Sequence, residues 1–156
     1  MDEWKAFYDS KSGERGIFNR ASATNQANRN ERRVTEGYNY GTNPCSEIIL
    51  RDREFCNLSE VVIRPTDTEK SLLKKVELAT ILGTIQSTLV NFKYVSKHWR
   101  QNCEEERLLG VSLTGIMDSP LTGPKNKDLK NLLQRLKQKA VDTNLEWSKK
   151  IGIPVS

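Results

Sequence analysis

Apolar residues change their spacing along this chain, and each change marks an element. Trp4, Phe7 and Tyr8 fall at helical spacing, which predicts a short helix within residues 1–12; Gly13 and Gly16 then bracket a turn before Ile17 and Phe18. Residues 1–40 as a whole form a polar N-terminal segment, and within it residues 19–40 offer few apolar positions that a core could hold. After residue 57 the pattern tightens. Leu58 and the run Val61, Val62, Ile63 predict a buried strand stopped by Arg64 and Pro65. Thr66 with Glu69 has the form of a capping box, and residues 66–107 read as helical. Leu72, Val76, Ala79 and Leu82, joined by Leu73, Ile81, Ile85, Leu89 and Phe92, predict a helix buried around much of its circumference. Gly83 inside it costs about 1 kcal/mol against alanine, which implies close approach of another element. Residues 108–118, an apolar run with Gly110 and Gly115, predict a strand buried on both faces, and Asp118 to Pro124 a loop. The last helix, residues 127–150, carries Leu129, Leu132, Leu133, Leu136, Ala140 and Trp147 on one stripe with lysines opposite. Strand, helix, strand, helix in that order is an α/β arrangement with parallel strands and right-handed crossovers.

Composition narrows the class. The chain has 156 residues, a formal net charge of +5 and 29% charged residues, with a negative mean hydropathy, as expected of a soluble α/β domain. No apolar run approaches the roughly 20 residues of a spanning helix, and M-D-E-W-K-A-F-Y-D-S has no secretory apolar core, so the expected location is cytoplasmic and away from membranes. Three cysteines cannot all pair internally, which favours working thiols in a reducing compartment. The modest positive charge suits an anionic substrate or a nucleic acid equally. Arg20, Arg29, Arg32 and Arg33 are the residues a nucleic acid would use, and a solvated surface is the better reading of that segment.

The densest chemistry lies in residues 41–63, G-T-N-P-C-S-E-I-I-L-R-D-R-E-F-C-N-L-S-E-V-V-I. Asn43, Cys45 and Glu47 occupy alternate positions, and Cys56 follows Cys45 by eleven residues. In an extended segment alternate side chains share a face, so amide, thiol and carboxylate would make one reactive surface. Pro44 restricts Asn43 to extended backbone, which favours a loop that displays Cys45. A single cysteine is most often an inert buried thiol, but the amide, carboxylate and second thiol around this one argue for chemistry. Cys45, Cys56, His98 and Cys103 lack the short spacings of a zinc site, and Glu60, Gln86 and Asp118 read as structural.

These residues carry a resemblance. N-P-C-S-E followed by F-C-N-L-S-E-V-V closely resembles the catalytic loop of ribonucleotide reductase large subunits, most closely the adenosylcobalamin-dependent, class II type. G-I-F-N-R-A-S-A-T-N-Q-A-N-R-N-E-R-R before it, with A-T-I-L-G-T-I-Q-S-T-L and E-E-E-R-L-L-G-V-S-L-T-G-I-M-D after it, look like the same family, so the resemblance covers nearly the whole chain. It implies a partial piece of a ten-stranded α/β barrel, with a thiol-bearing central loop, about two strands and two long helices. Residues 1–156 would be a single fragment of that barrel domain, its middle portion. The earlier strands with the cysteine that pairs with the one at Cys56, the glycine- and serine-containing phosphate loop and the C-terminal C-x-x-C tail would lie outside it.

The resemblance also implies roles. Cys45 would become a thiyl radical that takes and returns the 3′ hydrogen of the ribose, Glu47 would act as base on the 3′-hydroxyl, and Asn43 would orient the substrate. Cys56 would supply reducing equivalents as the 2′-hydroxyl leaves as water. Adenosylcobalamin would be the cofactor, an external dithiol such as thioredoxin the reductant, and a ribonucleoside di- or triphosphate the substrate. A barrel piece needs complementary reductase polypeptide to cover its exposed apolar surface and to be active. Two other readings remain at this point, an inactive remnant or truncated fragment and a basic nucleic-acid-binding protein.

Overall fold

The structure, a computed structural model, describes residues 2–13, 16–29, 33 and 36–156. The chain divides into two compact units, Met1–Ile49 and Leu50–Ser156. In the first, α1 (Asp2–Ser10) is the short helix expected from its aromatic spacing. It buries nothing fully: Trp4 and Tyr8 are exposed, and Trp4 and Phe7 line a groove with Gly16 and Ile17. The polar stretch behind it contains α2 (Arg20–Asn28), a helix the apolar pattern did not predict. Its signals are small. The Asn19 side chain caps it, accepting from the Ser22 N–H at 2.9 Å, and Ala23 and Ala27, one turn apart, are the residues it buries. The helix packs near β1 (Tyr40–Thr42), where Tyr40 is fully buried and Arg20 Nη1 donates to the Tyr40 carbonyl at 3.2 Å. β1 and β2 (Ile49–Arg51) form a two-stranded sheet.

The second unit is a strand–helix–strand–helix assembly, as the α/β reading requires. β3 (Asn57–Val62) pairs in parallel with β4 (Leu109–Thr114), with Asn57 opposite Leu109 and Val62 opposite Thr114. Between them run α3 (Glu69–Gln86) and α4 (Lys97–Glu106), and after β4 a 3-10 turn (Ile116–Asp118) leads to α5 (Leu129–Ile151). α3 lies across both strands and α5 packs on α3. Val61, Ile63, Leu72, Val76, Ala79, Leu132 and Leu136 form the core. Ion pairs tie the two helices in matching order: Arg135 to Glu69 at 2.6 Å, then Lys139 to Glu77 at 2.7 Å. Further on, the buried Asn144 amide donates to Thr84 Oγ1 at 3.0 Å, so α3 and α5 run in the same direction.

Several boundaries differ from the sequence pattern, each for a local reason. The cap of α3 is Thr68 with Ser71, not Thr66 with Glu69. Residues 64–67 close a turn instead, because the Asp67 carboxylate accepts the Arg64 N–H at 2.7 Å and the Ser71 hydroxyl at 2.7 Å. The predicted helix over 66–107 is interrupted between Gln86 and Lys97. There the hydroxyls of Ser87 and Thr88 donate to the carbonyls of Thr84 and Ile85, a local pairing that competes with helix propagation.

The faces of α3 differ most from expectation. Leu72, Val76, Ala79, Thr80, Gly83 and Thr84 are buried, whereas Leu78, Leu82 and Ile85 are exposed, as is Leu89 just beyond the helix. β3 alternates in the same way, with Ser59 and Val61 inward and Leu58 and Val62 outward. β4, expected to be buried on both faces, has no fully buried residue. The helix covers one face of this two-stranded sheet only. Close approach at Gly83 is borne out: a Cβ there would lie 2.0 Å from Leu109 Cδ1. Gly115 ends β4 at φ +71°, where a Cβ would lie 2.5 Å from the Ile63 carbonyl oxygen. Leu133, assigned to the buried stripe of α5, is exposed, while Thr143, Asn144 and Ser148 are buried in its second half.

Two measurements follow from this packing. Leu72→Ala removes a fully buried side chain and is expected to cost about 2–5 kcal/mol in denaturant unfolding, whereas Leu82→Ala, at 61% exposure, changes stability by less than about 0.5 kcal/mol. Equal effects would show that α3 buries both stripes. Hydrogen bonds from Lys75, Ser71 and Arg64 hold the Asp67 carboxyl at about 2, and those from Lys139 and Lys74 hold Glu77 at about 2. Both lie below their unfolded values, so their stabilisation is complete above about pH 5 and is lost as pH falls toward 2. Unfolding midpoints measured across that window should decline, and less steeply in Asp67→Asn.

Candidate functional site

The loop that carries Cys45 belongs to the first unit, and its backbone is a turn, as the loop reading requires, and not the extended segment on which the shared face depended. The Ser46 N–H donates to the Asn43 carbonyl at 3.0 Å, placing Pro44 and Cys45 at the two central positions of a β-turn. Ser46 takes φ +64°, a left-handed conformation uncommon for a residue with a side chain. Strict alternation across residues 43–47 is therefore broken, and a shared face for Asn43, Cys45 and Glu47 does not follow from strand geometry. The display of the thiol does hold, because Pro44, Cys45, Ser46 and Glu47 are all exposed.

Asn43 is the brace of this loop. Its Oδ1 accepts the Ile48 N–H at 3.1 Å and the Thr42 hydroxyl at 3.3 Å, and its own N–H donates to the Ile48 carbonyl at 3.3 Å. The Thr42 hydroxyl also lies 3.0 Å from that carbonyl. The side-chain carbonyl is thus committed to closing the turn over residues 43–48, which leaves the amide NH₂ as the part that can face a ligand. Arg33 reinforces the base of the loop: its Nη1 donates to the Ile49 carbonyl at 2.8 Å, and its guanidinium sits 4.7 Å from the Tyr40 ring centroid. Arg20 and Arg33, two of the four arginines considered for a nucleic acid, thus hold backbone carbonyls of their own unit, while Arg32 lies outside the described residues.

Cys56 belongs to the second unit, on the segment entering β3. That segment is clamped by the last turns of α4. Arg51, its side chain 4% exposed, pairs with Glu105 at 2.8 Å and with Glu106 at 3.2 Å, and its N–H donates to the buried Glu54 carboxylate at 2.8 Å. Asn102 Nδ2 donates to the Asp52 carbonyl at 2.7 Å, and the Phe55 N–H donates to Cys103 Sγ at 3.3 Å. Phe55 also stacks on Trp99 at 4.4 Å and meets Phe92 edge-on at 5.0 Å. Cys56, half-buried, and Cys103, buried, line one cavity of about 260 Å³ together with Asn57, Gln86, Ser87 and Phe92. Burial pushes the Cys103 thiol up from its ordinary value.

The clamp was missed in the sequence. Its one signal was the opposed charge of R-D-R-E at residues 51–54 and E-E-E at 104–106, which spacing alone does not connect. Glu60 lies on the exposed face of β3, Gln86 lines the cavity with Cys56, and His98 is exposed on α4. No helix among the described residues is long and apolar enough to cross a membrane.

Comparison with known proteins gives a consistent result. The chain is 33% identical over 114 residues to the adenosylcobalamin-dependent ribonucleoside-triphosphate reductase of Lactobacillus acidophilus, covering 69% of this chain and 14% of that protein. It is 30% identical over 124 residues to the protein of the same description in Lactobacillus leichmannii, covering 75% of this chain and 16% of that one. The Lactobacillus helveticus protein is 33% identical over 115 residues. The chain is thus related to these reductases by weak homology, and it spans 14% to 16% of the length of the curated relatives it matches. No family model and no solved structure matches it.

The geometry orders the three thiols by reactivity. Alkylation of the native chain, followed by peptide mapping, is expected to modify the exposed Cys45 first, Cys56 next and the buried Cys103 last, by at least about tenfold between first and last. A Cys103 that reacts as fast as Cys45 would contradict the burial on α4.

Proposed function

We propose that this chain is the part of an adenosylcobalamin-dependent ribonucleotide reductase that carries the radical-bearing thiol, and that it acts only when joined to complementary reductase polypeptide. The observation that carries this reading is an exposed cysteine at the tip of an asparagine-braced turn, in a chain that is 33% identical over 114 residues to an enzyme of that description. A ribose C–H bond is not acidic enough for a general base, so its activation calls for a hydrogen-atom acceptor, and an exposed thiol suits that role.

Adenosylcobalamin, when bound, would supply the radical chemistry that removes the thiol hydrogen. Every other step falls to side chains. Cys45 takes the 3′ hydrogen and returns it after reduction. Glu47, exposed two residues on, accepts the proton of the 3′-hydroxyl, and the Asn43 NH₂ group orients the substrate while its carbonyl holds the turn. Cys56 and a second thiol supplied by the complementary polypeptide furnish the two electrons with which the 2′-hydroxyl departs as water, and the two sulfurs end joined in a disulfide. An external dithiol such as thioredoxin would then reopen that disulfide.

The need for a partner rests on the exposed apolar surface. Leu78 and Leu82 on α3 and Val62 on β3 border a groove beside the sheet, and among the described residues β3 pairs with β4 alone. A barrel neighbour supplied by the rest of the reductase would cover this surface. The nucleic-acid reading is weaker because Arg20 and Arg33 are engaged with backbone carbonyls.

Reconstitution tests the proposal. Mixed with polypeptide supplying the remainder of a reductase, adenosylcobalamin and a dithiol, the chain is expected to convert a ribonucleoside triphosphate to its deoxy form. Cys45→Ser should abolish turnover completely while leaving association intact. Complex formation with unchanged turnover in Cys45→Ser would overturn the assigned role.

A further inference from the structure

The cavity beside β3 holds two thiols, and only one of them has a role in the reading above. We propose that Cys56 and Cys103 form a reversible intramolecular disulfide, making this cavity a thiol–disulfide exchange site for low-molecular-weight thiols. This goes beyond the proposed reductase activity and does not depend on it, since the pair can cycle without a nucleotide.

Three independent features bring the two residues together. First, the Phe55 N–H donates to Cys103 Sγ at 3.3 Å, so that sulfur lies against the residue adjoining Cys56. Covalent backbone dimensions then keep it within about 9 Å of the Cys56 Cα even at full stretch. Second, the strand register fixes both ends of the gap. Asn57, directly after Cys56, sits opposite Leu109 and donates its N–H to the Leu108 carbonyl at 3.0 Å, while Arg107 caps the same helical turn by donating to the Cys103 carbonyl at 3.0 Å. Third, both cysteines line the same cavity of about 260 Å³, so protein atoms do not fill the space beside them.

The surroundings assign the order of events. Cys56 is half-buried and is the thiol an incoming disulfide reaches first. Its thiolate attacks one sulfur of glutathione disulfide, breaking that S–S bond, forming a mixed disulfide and releasing one glutathione. The buried Cys103 then loses its proton and attacks Cys56 Sγ, expelling the second glutathione and leaving the internal S–S bond. Two protein S–H bonds and one S–S bond are exchanged for one protein S–S bond and two glutathione thiols. The reverse exchange with reduced glutathione or a dithiol restores both cysteines.

The clamp makes the site stiff enough for this pairing. Arg51 with Glu105 and Glu106, and Asn102 with the Asp52 carbonyl, tie both cysteine-bearing segments at points a few residues from each sulfur. Closure requires Cys103 Sγ to leave the Phe55 N–H, which the neighbouring cavity permits without unfolding α4.

The full chain, equilibrated in glutathione redox buffers, quenched with acid, alkylated under denaturing conditions and digested with trypsin, tests the proposal. Cleavage after Arg51, Arg53, Arg100 and Arg107 places Cys45, Cys56 and Cys103 on separate peptides. The expected result is a dithiothreitol-sensitive link between the Cys56 and Cys103 peptides, with both thiols lost in one step and Cys45 not linked to either. In Cys103→Ser, Cys56 should stop at the glutathione mixed disulfide; in Cys45→Ser, the link should be retained. A link from Cys56 to Cys45, or a glutathionylated Cys56 with Cys103 still alkylated throughout the titration, would overturn it. If Cys103→Ser does not fold, the wild-type map decides alone. Because no nucleotide turnover is read, failure here is distinct from failure of the reductase proposal.

Discussion

Parallel pairing between β3 and β4 is the constraint on which the second unit depends. Two parallel neighbours cannot be joined by a tight turn, so the chain must leave the sheet and return, and α3 and α4 occupy that crossover. The register also decides what meets at the sheet's entry end. With Asn57 opposite Leu109, the residues just before β3 face the residues just before β4, where Arg107 and Leu108 follow directly on the last turn of α4. Cys56 and Cys103 share a cavity for this reason, although 47 positions separate them in the chain.

The buried Arg51 illustrates how much polar structure that meeting point contains. A guanidinium withdrawn from water is tolerable only when its charge is answered, and Glu105 at Nη1 and Glu106 at Nη2 provide this from one helical turn. Asn102 and Cys103 on the same turn bind the same incoming segment through its backbone. A polar clamp of this kind contributes less to net stability than apolar packing would, but it specifies one geometry, since Arg51 or Glu106 left alone would be a buried unsatisfied charge. That specificity suits a segment proposed to present a thiol.

The Cys45 loop reaches definition by different means. Its residues 44–47 are exposed, and its order comes from a short-range network in which Asn43 satisfies Ile48 and Thr42. Proline at the second turn position limits the conformations available before folding, and the left-handed Ser46 completes the reversal. A thiol held by local hydrogen bonds stays accessible, whereas one held by tertiary packing, such as Cys103, is covered. The two environments fit the different tasks proposed for them.

Local sequence determined a good deal of this. The helical spacing of α1, a strand containing Leu58, Val61 and Val62, the amphipathic α5 and the exposed thiol after Pro44 were all legible, because each depends on neighbours within a few residues or on intrinsic backbone preference, and Gly83 marked a close approach without naming its partner. Asn43, Cys45, Glu47 and Cys56 stand out in the sequence as a motif, but a shared extended face does not follow from it, since turn closure by Asn43 competes with strand geometry. Which apolar stripe of α3 is buried was decided by tertiary structure alone. Leu72 and Leu82 have the same hydrophobicity and lie on one helix, and only the position of the sheet and of α5 tells them apart. The same holds for Arg51 with Glu105, and for Cys56 with Cys103: such pairings are set by strand register and helix docking over about fifty residues, and no local pattern encodes a partner that far along the chain.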